Sequence, residues 1–226
     1  FLQLAEPSHV QLLAGRLTKA MPEAQVSILS ILAQRRSTSE EGKVIALTAS
    51  TNASVRVAAY HALPYVATPS SVQTLLDLLG KASSSQEVSD VQMALVAIAD
   101  NETMPAILQA TSSQRARLLP VLPYFRDPKS LQTVKTSFEK GSGEEKELAF
   151  SALLNWQNGD ATGILLDLMR DPNQAAYRSR ALGAYVKQVM NTTWPADQKL
   201  LKLREAFALA ANADERRLVL REAASV

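Results

Sequence analysis

The chain has 226 residues, of which 46% are hydrophobic and 20% are charged, and its formal net charge is +2 at neutral pH. This is the composition of a globular protein, and no apolar run reaches the ~18 residues of a membrane-spanning helix. The sequence contains no cysteine, which excludes disulfides, thiolate metal sites and thiol nucleophiles. The mildly basic charge requires neither nucleic acid nor an anionic surface, so it leaves the class of partner open.

A register of basic and small apolar residues recurs along the chain. Arg56 is followed by Ala59 and Ala62, and residues three and four apart share one face of a helix. The register returns about every 32 residues, a length that accommodates two short helices and two turns. Its basic position is occupied by Arg56, Arg115, Lys146, Arg178 and Arg217. The 59 residues from Arg56 to Arg115 hold two copies, and the second of these keeps the apolar register at Val91, Ala94 and Ala97 without the basic residue. The sequence therefore predicts a tandem array of helix pairs.

Capping and proline signals predict where the helices begin. Ser37, Ser84 and Ser142 each precede a glutamate by three residues, which is the spacing of a capping box. Prolines are expected at helix starts, because a missing N–H costs nothing in the first turn. Those at the predicted junctions are Pro69, Pro128, Pro172 and Pro195.

The predicted repeats form one array of a single structural class. No window of about four to eight residues alternates in the manner of a strand, so no sheet is expected. We predict an all-α fold, a right-handed α-α superhelix of about six helix pairs, because each pair buries its apolar stripe only against the next. A single domain is expected over residues 1–226. Its repeats are predicted at residues 20–50, 52–82, 84–111, 112–141, 142–171 and 172–210, with a partial copy at 211–226.

The two ends of the chain indicate a segment of a larger protein. The sequence begins at Phe1 without an initiator Met or a signal-type apolar segment. The partial copy has a first helix and no second, so a neighbouring domain or subunit is expected to cover it. In that copy Leu218 and Leu220 are predicted to pack inward.

The first helices of the repeats resemble a known family. The segments SVRVAAYHAL (54–63), EKELAFSALLNW (145–156) and YRSRALGAYV (177–186) are similar to the first helix of HEAT repeats, in particular the short, PBS-lyase-like variety. The resemblance covers nearly the whole chain and implies an armadillo-like α-solenoid, with first helices on the convex side and second helices lining the concave side. It also implies a structural role, tying neighbouring turns together, for Arg56, Arg115, Lys146 and Arg178.

A narrower resemblance covers residues 144–226. The succession SALLNWQNGDATGILLDLMR, RALGAYVK and LLKLREAFALAANADERRLVLREA resembles the HEAT segment of large secreted bacterial proteins that also carry a sugar-hydrolase-like domain of the 3-keto-disaccharide hydrolase type. This implies a periplasmic or secreted location and a parent protein that is a glycoside hydrolase-type enzyme through another domain. None of the catalytic residues of that domain maps onto this sequence.

The outward positions of the predicted second helices form a candidate partner-binding concave face. Its charge is mixed and nearly neutral, whereas a phosphate-binding face needs concentrated Lys and Arg. The face consists of Gln73, Asp77, Gln109, Gln132, Lys135, Asp167 and Arg170. Residues 187–199 predict a connection longer than the others, on which Trp194 either anchors a partner or packs back over its own helix pair.

No group of residues points to catalysis. His9 and His61 are the only histidines, and they belong to no metal-binding motif. We therefore expect no catalytic residue, cofactor or metal, and a non-enzymatic scaffold that binds a protein partner or a neighbouring domain of its own chain. The alternative is a DNA-binding protein similar to the HEAT-fold alkylpurine DNA glycosylases, which bind duplex backbone along a basic concave face.

Overall fold

The computed structural model describes residues 7–226, with side chains from residue 9 onward. Residues 1–6, which the predicted array includes, lie outside the described residues. The chain divides into two compact units, with unit 1 ending at Leu118 and unit 2 beginning at Leu119. Over residues 7–226 the regular secondary structure is entirely helical, without a β-strand. This confirms the predicted all-α class.

Unit 1 is built from successive helices joined by short turns. Its helices are α1 (Pro7–Arg16), α2 (Pro22–Gln34), α3 (Glu41–Leu47), α4 (Ala53–Val66), α5 (Val72–Lys81), α6 (Ser85–Ile98), α7 (Met104–Ala110) and α8 (Arg115–Leu118). The central helix, α4, packs against α2, α3 and α6. Its core-facing residues Val55, Ala59 and Leu63 have no exposed surface. The small Ala59 allows the neighbouring helices to approach closely.

Unit 2 has the same organisation. Its helices are α9 (Leu122–Phe125), α10 (Pro128–Lys140), α11 (Glu144–Leu154), α12 (Thr162–Arg170), α13 (Ala175–Asn191), α14 (Ala196–Leu209) and α15 (Ala213–Ala223). Helix α13 packs against α11, α12, α14 and α15, and its Tyr185 and Val189 are fully buried. In both units a first helix contacts its own partner and the first helix of the next pair, which is how an α-solenoid buries its core.

The helix starts show which capping predictions hold. At α6 the Ser84 hydroxyl accepts from the Glu87 N–H, and the Glu87 carboxylate accepts from the Ser84 N–H, so the predicted capping box is confirmed. The Ser37 prediction is wrong, because α3 begins only at Glu41 and Ser37 instead precedes a 3₁₀ turn. The Ser142 prediction is also wrong. Helix α11 is preceded by Gly143 at φ +54°, a conformation that glycine adopts readily.

The long connection predicted at residues 187–199 is not present. Helix α13 continues to Asn191 and α14 begins at Ala196, so the additional residues lengthen a helix. The reason is that Gln188 and Val189 are buried and extend the packed face of α13 by another turn. The connection that remains, residues 192–195, contains Trp194.

In the partial copy, the residue that packs inward is Val219. It is 1% exposed, whereas Leu220 is 56% exposed, so the prediction for Leu220 is wrong. Helix α15 begins after Asn212, whose side chain accepts from the Glu215 N–H. Residues four apart share a face of a helix, and this start places Glu215 and Val219 on the buried one.

Candidate functional site

A groove between α10 and α12 in unit 2 is the candidate functional site. It has a volume of about 490 Å³. A smaller hollow of about 240 Å³ continues it along the same two helices. We call the two together the α10–α12 groove. Its lining residues are Pro128, Leu131, Gln132, Lys135, Phe138 and Glu139 from α10, and Asp160, Gly163, Ile164, Asp167, Leu168, Asp171 and Gln174 from α12 and its flanks.

The spacing of the lining residues explains why they meet. On α10 they recur three and four residues apart, and so do those on α12, so one stripe of each helix faces the groove. The floor is apolar, and in it Phe138 and Leu168 are each 5% exposed. Gly163 is exposed, and a side chain there would extend into open space. The glycine therefore keeps the groove open.

The rim of the groove is predominantly acidic. Lys135 is the single cation among its described lining residues, and the Lys135 Nζ lies 3.7 Å from Glu139 Oε1. Asp160 accepts a hydrogen bond from the Asn158 side chain at 2.7 Å. Asp167 is exposed, and its carboxylate forms no ion pair or hydrogen bond with the described residues. With Asp171 also present, four carboxylates face one ammonium, and the groove attracts cations.

The structure brings only part of the predicted concave face to this groove. Gln132, Lys135 and Asp167 line it. In unit 1, Gln73 donates to Asp77 Oδ1 at 3.4 Å along α5, and Gln109 is exposed on α7. Arg170, at the end of α12, does not line the groove.

The charge of Arg170 acts on Tyr185 of α13, outside the groove lining. Burial raises the pKa of Tyr185, Glu205 raises it further, and the charge of Arg170 partly opposes both effects. The Tyr185 hydroxyl lies 3.3 Å from both the Lys202 carbonyl and Glu205 Oε2. This hydroxyl therefore joins α13 to α14 and has no access to the groove.

A second groove, which no sequence motif marks, lies between α2 and α4 in unit 1. It has a volume of about 480 Å³. Its lining residues are Val26, Leu29, Ser30, Ala33, Gln34, Arg36, Ala58, His61, Ala62 and Tyr65. Its alanines, Ala33 on α2 and Ala58 and Ala62 on α4, do not predict a groove, because alanines in a sequence equally indicate close helix packing.

Two of the basic repeat positions, Arg56 and Arg178, contact the next first helix in their unit. Arg56 Nε on α4 lies 3.4 Å from Glu87 Oε1 on α6, and Arg56 Nη1 donates to the Ser50 carbonyl at 3.0 Å. In unit 2 Arg178 Nη1 lies 3.7 Å from Glu215 Oε2 on α15. Arg115 begins α8. The structural role of the four basic positions stays a prediction.

Lys146 makes a different contact, with aromatic rings. Its Nζ lies 5.0 Å from the Phe138 centroid and 5.4 Å from that of Tyr177, which is within the range of a cation–π interaction. The Tyr177 hydroxyl donates to Glu147 Oε1 at 2.7 Å, and this hydrogen bond raises the pKa of Tyr177. The cluster joins α10, α11 and α13.

Trp194 packs against its own unit. The side chain is half-buried, and it approaches Gly159 so closely that a Cβ there would lie 2.9 Å from Trp194 Cζ2. Its role as an anchor for a partner stays a prediction.

His61 lies near one carboxylate and shares its groove with a serine hydroxyl. His61 Nδ1 is 3.5 Å from Asp90 Oδ1, and Ser30 lines the same groove without a hydrogen bond to His61. No group of three or more His, Asp or Glu side chains from residue 9 onward is placed to hold a metal ion. No helix in the described range is long and apolar enough to cross a membrane.

Comparison with known proteins gives matches to solved structures only. No protein-family description matches the sequence, and no curated protein does. The chain is similar to the complex of CpcE and CpcF of phycocyanin lyase from Nostoc sp. PCC7120, with 14% identity, a TM-score of 0.48, and coverage of 96% of this chain and 94% of that one. It is also similar to an engineered protein, with 18% identity, a TM-score of 0.39, and coverage of 96% and 95%. Sequence identities of 14% and 18% with TM-scores below 0.5 carry no information about a ligand of this chain.

Proposed function

We propose that the chain is a non-catalytic scaffold segment that binds a protein partner through the α10–α12 groove. The observation that carries this proposal is the combination of an apolar floor with a rim of four carboxylates and one ammonium. Leu131 and Ile164 can receive aliphatic side chains, whose burial contributes about 25 cal/mol per Å². The partner is therefore a segment in which apolar residues alternate with Lys or Arg.

The charge of the groove favours a protein over nucleic acid. A phosphate backbone is bound by clustered Lys and Arg, and each contact releases counterions. Here the single ammonium of Lys135 is already paired with Glu139, and Asp160 and Asp167 would repel phosphate. The alternative of a DNA-binding, glycosylase-like protein thus has no support from this groove, and it becomes an outcome of the test.

The organisation into one array also belongs to the proposal. We propose that the repeats at residues 20–50, 52–82, 84–111, 112–141, 142–171 and 172–210, with 211–226, form a single domain. A secreted, carbohydrate-active bacterial parent stays a prediction from sequence resemblance, because no protein-family description matches the chain.

The test measures peptide binding to groove variants by fluorescence anisotropy. The probes are a labelled peptide rich in Leu and Lys and a counterpart in which every Lys is Glu. Gly163→Leu places an aliphatic side chain in the groove from a position where a Cβ meets no atom within 4 Å, and Asp167→Lys inverts its exposed charge. We expect each variant to weaken binding of the Leu/Lys peptide about tenfold.

The control is Gly42→Leu, because Gly42 occupies the same position in the first turn of α3 as Gly163 does in α12 and also faces open space. It should leave binding of the Leu/Lys peptide unchanged. Equal loss in Gly42→Leu and Gly163→Leu, or no loss in any variant, would contradict the proposal. A preference for duplex DNA, with affinity falling steeply as salt rises, would support the alternative.

A further inference from the structure

The α2–α4 groove of unit 1 differs from the α10–α12 groove in its floor and in its charge. The floor is made by Leu29 together with Ala33, Ala58 and Ala62. Leu29 has no exposed surface, and Ala62 is 1% exposed. Because three alanines face each other across two helices, no large side chain closes the space between them. The result is a hollow of about 480 Å³ with an aliphatic base.

Arg36 stands on the rim of this groove in a backbone conformation that arginine rarely adopts. Its φ is +48°, in the left-handed region. The turn that ends α2 requires this conformation, since the Ser37 N–H donates to the Leu32 carbonyl and the Arg36 N–H to the Ala33 carbonyl, both at 3.0 Å. Glycine is the usual residue at such a helix end. The turn itself therefore gives no reason for an arginine side chain.

The guanidinium of Arg36 is available for a ligand. The residue is exposed, and its Cζ lies 5.9 Å from the centroid of the Tyr65 ring. Within the described residues the guanidinium has no ion pair. A guanidinium presents parallel N–H groups whose geometry matches a carboxylate, and contact with an aromatic face holds it in place.

The opposite rim contributes polar groups and no carboxylate. His61 and Tyr65 follow one another along α4, with ring centroids 6.4 Å apart. Asp90 lies behind the imidazole, 3.5 Å from Nδ1, and its side chain is 8% exposed. On the same side as Arg36, Ser30 of α2 adds a hydroxyl. None of the described side chains that line the groove is acidic, so this lining is complementary to an anion.

We propose that the α2–α4 groove is a second docking site that binds an acidic segment of a protein partner. An aliphatic side chain of that segment lies on the alanine floor, and a neighbouring Asp or Glu carboxylate pairs with Arg36. The apolar floor favours a peptide over nucleic acid. Nucleic acid is held by several phosphate contacts, whereas among the described lining residues Arg36 is the only arginine or lysine. The site is independent of the proposed function, because it lies in the other unit and selects the opposite charge.

The test uses the same two peptides, now with the Leu/Glu peptide as the ligand. Arg36→Gly removes the guanidinium and gives the left-handed turn its usual residue, so the thermal unfolding temperature should stay the same or rise. Binding of the Leu/Glu peptide should weaken about tenfold. The structural and binding effects therefore have opposite directions. Ala58→Leu, which fills the groove and keeps its charge, should weaken the same binding.

Arg126→Gly is the matched control, because Arg126 is an exposed arginine in unit 2 with φ +54°. It removes the same charge and relieves the same backbone conformation at a residue that does not line the α2–α4 groove. It should leave binding of the Leu/Glu peptide unchanged. The proposal is overturned if Arg36→Gly and Arg126→Gly weaken binding equally, if neither Arg36→Gly nor Ala58→Leu affects it, or if duplex DNA competes with the peptide at this groove.

The two proposals can fail separately. Binding of the Leu/Lys peptide to Gly163→Leu tests only the proposed function. Binding of the Leu/Glu peptide to Arg36→Gly tests only the second docking site.

Discussion

Glu87 combines three roles in one side chain. It lies in the first turn of α6 and is 5% exposed. Its Oε2 accepts hydrogen bonds from the Ser83 and Ser84 N–H groups at 2.8 and 3.2 Å, and its Oε1 faces Arg56. The hydrogen bond from the Ser83 N–H is the main cause that lowers the pKa of Glu87, against the effect of its burial. The ionised carboxylate is thus part of the folded structure.

The lowered pKa fixes how stability should depend on pH. Because the folded state holds the Glu87 proton less tightly than the unfolded state, this residue stabilises the fold above the ordinary glutamate pKa. That contribution is lost as pH falls below about 5. We expect Glu87→Gln to lower the free energy of unfolding by about 1–2 kcal/mol at neutral pH and to reduce the loss of stability on acidification.

Denaturant unfolding at neutral and acidic pH measures both effects. Glu139→Gln is the control, since that exposed residue takes part in a pair within one helix, and its stability effect should be below about 0.5 kcal/mol. An acid dependence in Glu87→Gln as steep as in the parent protein would show that the interpretation of Glu87 is wrong.

Gly159 gives a prediction about Trp194. A Cβ at this position would lie 2.7 Å from Thr192 Cγ2 and 2.9 Å from Trp194 Cζ2, so the indole has to move. We expect Gly159→Ala to destabilise unit 2 by about 1–3 kcal/mol and to shift tryptophan emission to longer wavelength. Gly163→Ala, which meets no atom within 4 Å, should leave the emission unchanged. Unaltered emission in Gly159→Ala would mean that the ring does not pack there.

At the scale of elements, an aromatic cluster joins three helices of unit 2. Phe150 of α11 is fully buried. Its ring centroid lies 5.8 Å from that of Phe138 on α10 and 4.6 Å from that of Tyr177 on α13. Arg180 Cζ lies 4.7 Å from the Phe150 centroid. One side chain therefore supports both neighbouring helices.

Truncating Phe150 should be severe for this reason. We expect Phe150→Ala to lower the free energy of unfolding by about 3–5 kcal/mol, because it leaves a cavity and removes the ring contacts. Phe125→Ala, at the partly exposed end of α9, is the comparison and should cost less. Equal losses measured by denaturant unfolding would contradict the central position of Phe150.

The helices were predictable because their signals are local. The spacing of Arg56, Ala59 and Ala62 defines one face of α4, and the Ser84–Glu87 capping box lies within four residues. The predictions that were wrong depended on where a helix starts or on which residues pack against it. Leu220 was placed inward by its apolar character, but the start of α15 after Asn212 turns Val219 to the core.

The two grooves also differ in how far the sequence predicts them. Gln132, Lys135 and Asp167 could be placed on one outward stripe of consecutive second helices, and the structure brings them together. The α2–α4 groove needs alanines from two helices and the left-handed turn at Arg36. Neither the pairing of those alanines nor that turn is marked by a motif, so the groove could not be found from the sequence.

At the scale of the whole molecule, the two tryptophans test whether the chain is a single array. Trp156 and Trp194 both belong to unit 2, whereas circular dichroism reports the helices of both units. If the repeats form one domain, as we propose, urea unfolding followed by tryptophan emission and by circular dichroism should have the same midpoint. Separate midpoints would mean that the units unfold independently and would contradict a single domain.

The Arg–Glu ties give the repeats a direction. Glu87 caps the start of α6, and Glu215 accepts from the Ala211 N–H at the start of α15. Each of these carboxylates also faces an arginine from the preceding first helix, Arg56 or Arg178. A helix start is therefore complete only when the helix before it is folded. Unfolding of α4 would remove Arg56 and weaken the start of α6. Unfolding of α6 would leave the Asn52 cap of α4 intact. Loss of an earlier helix therefore destabilises the next one more than the reverse.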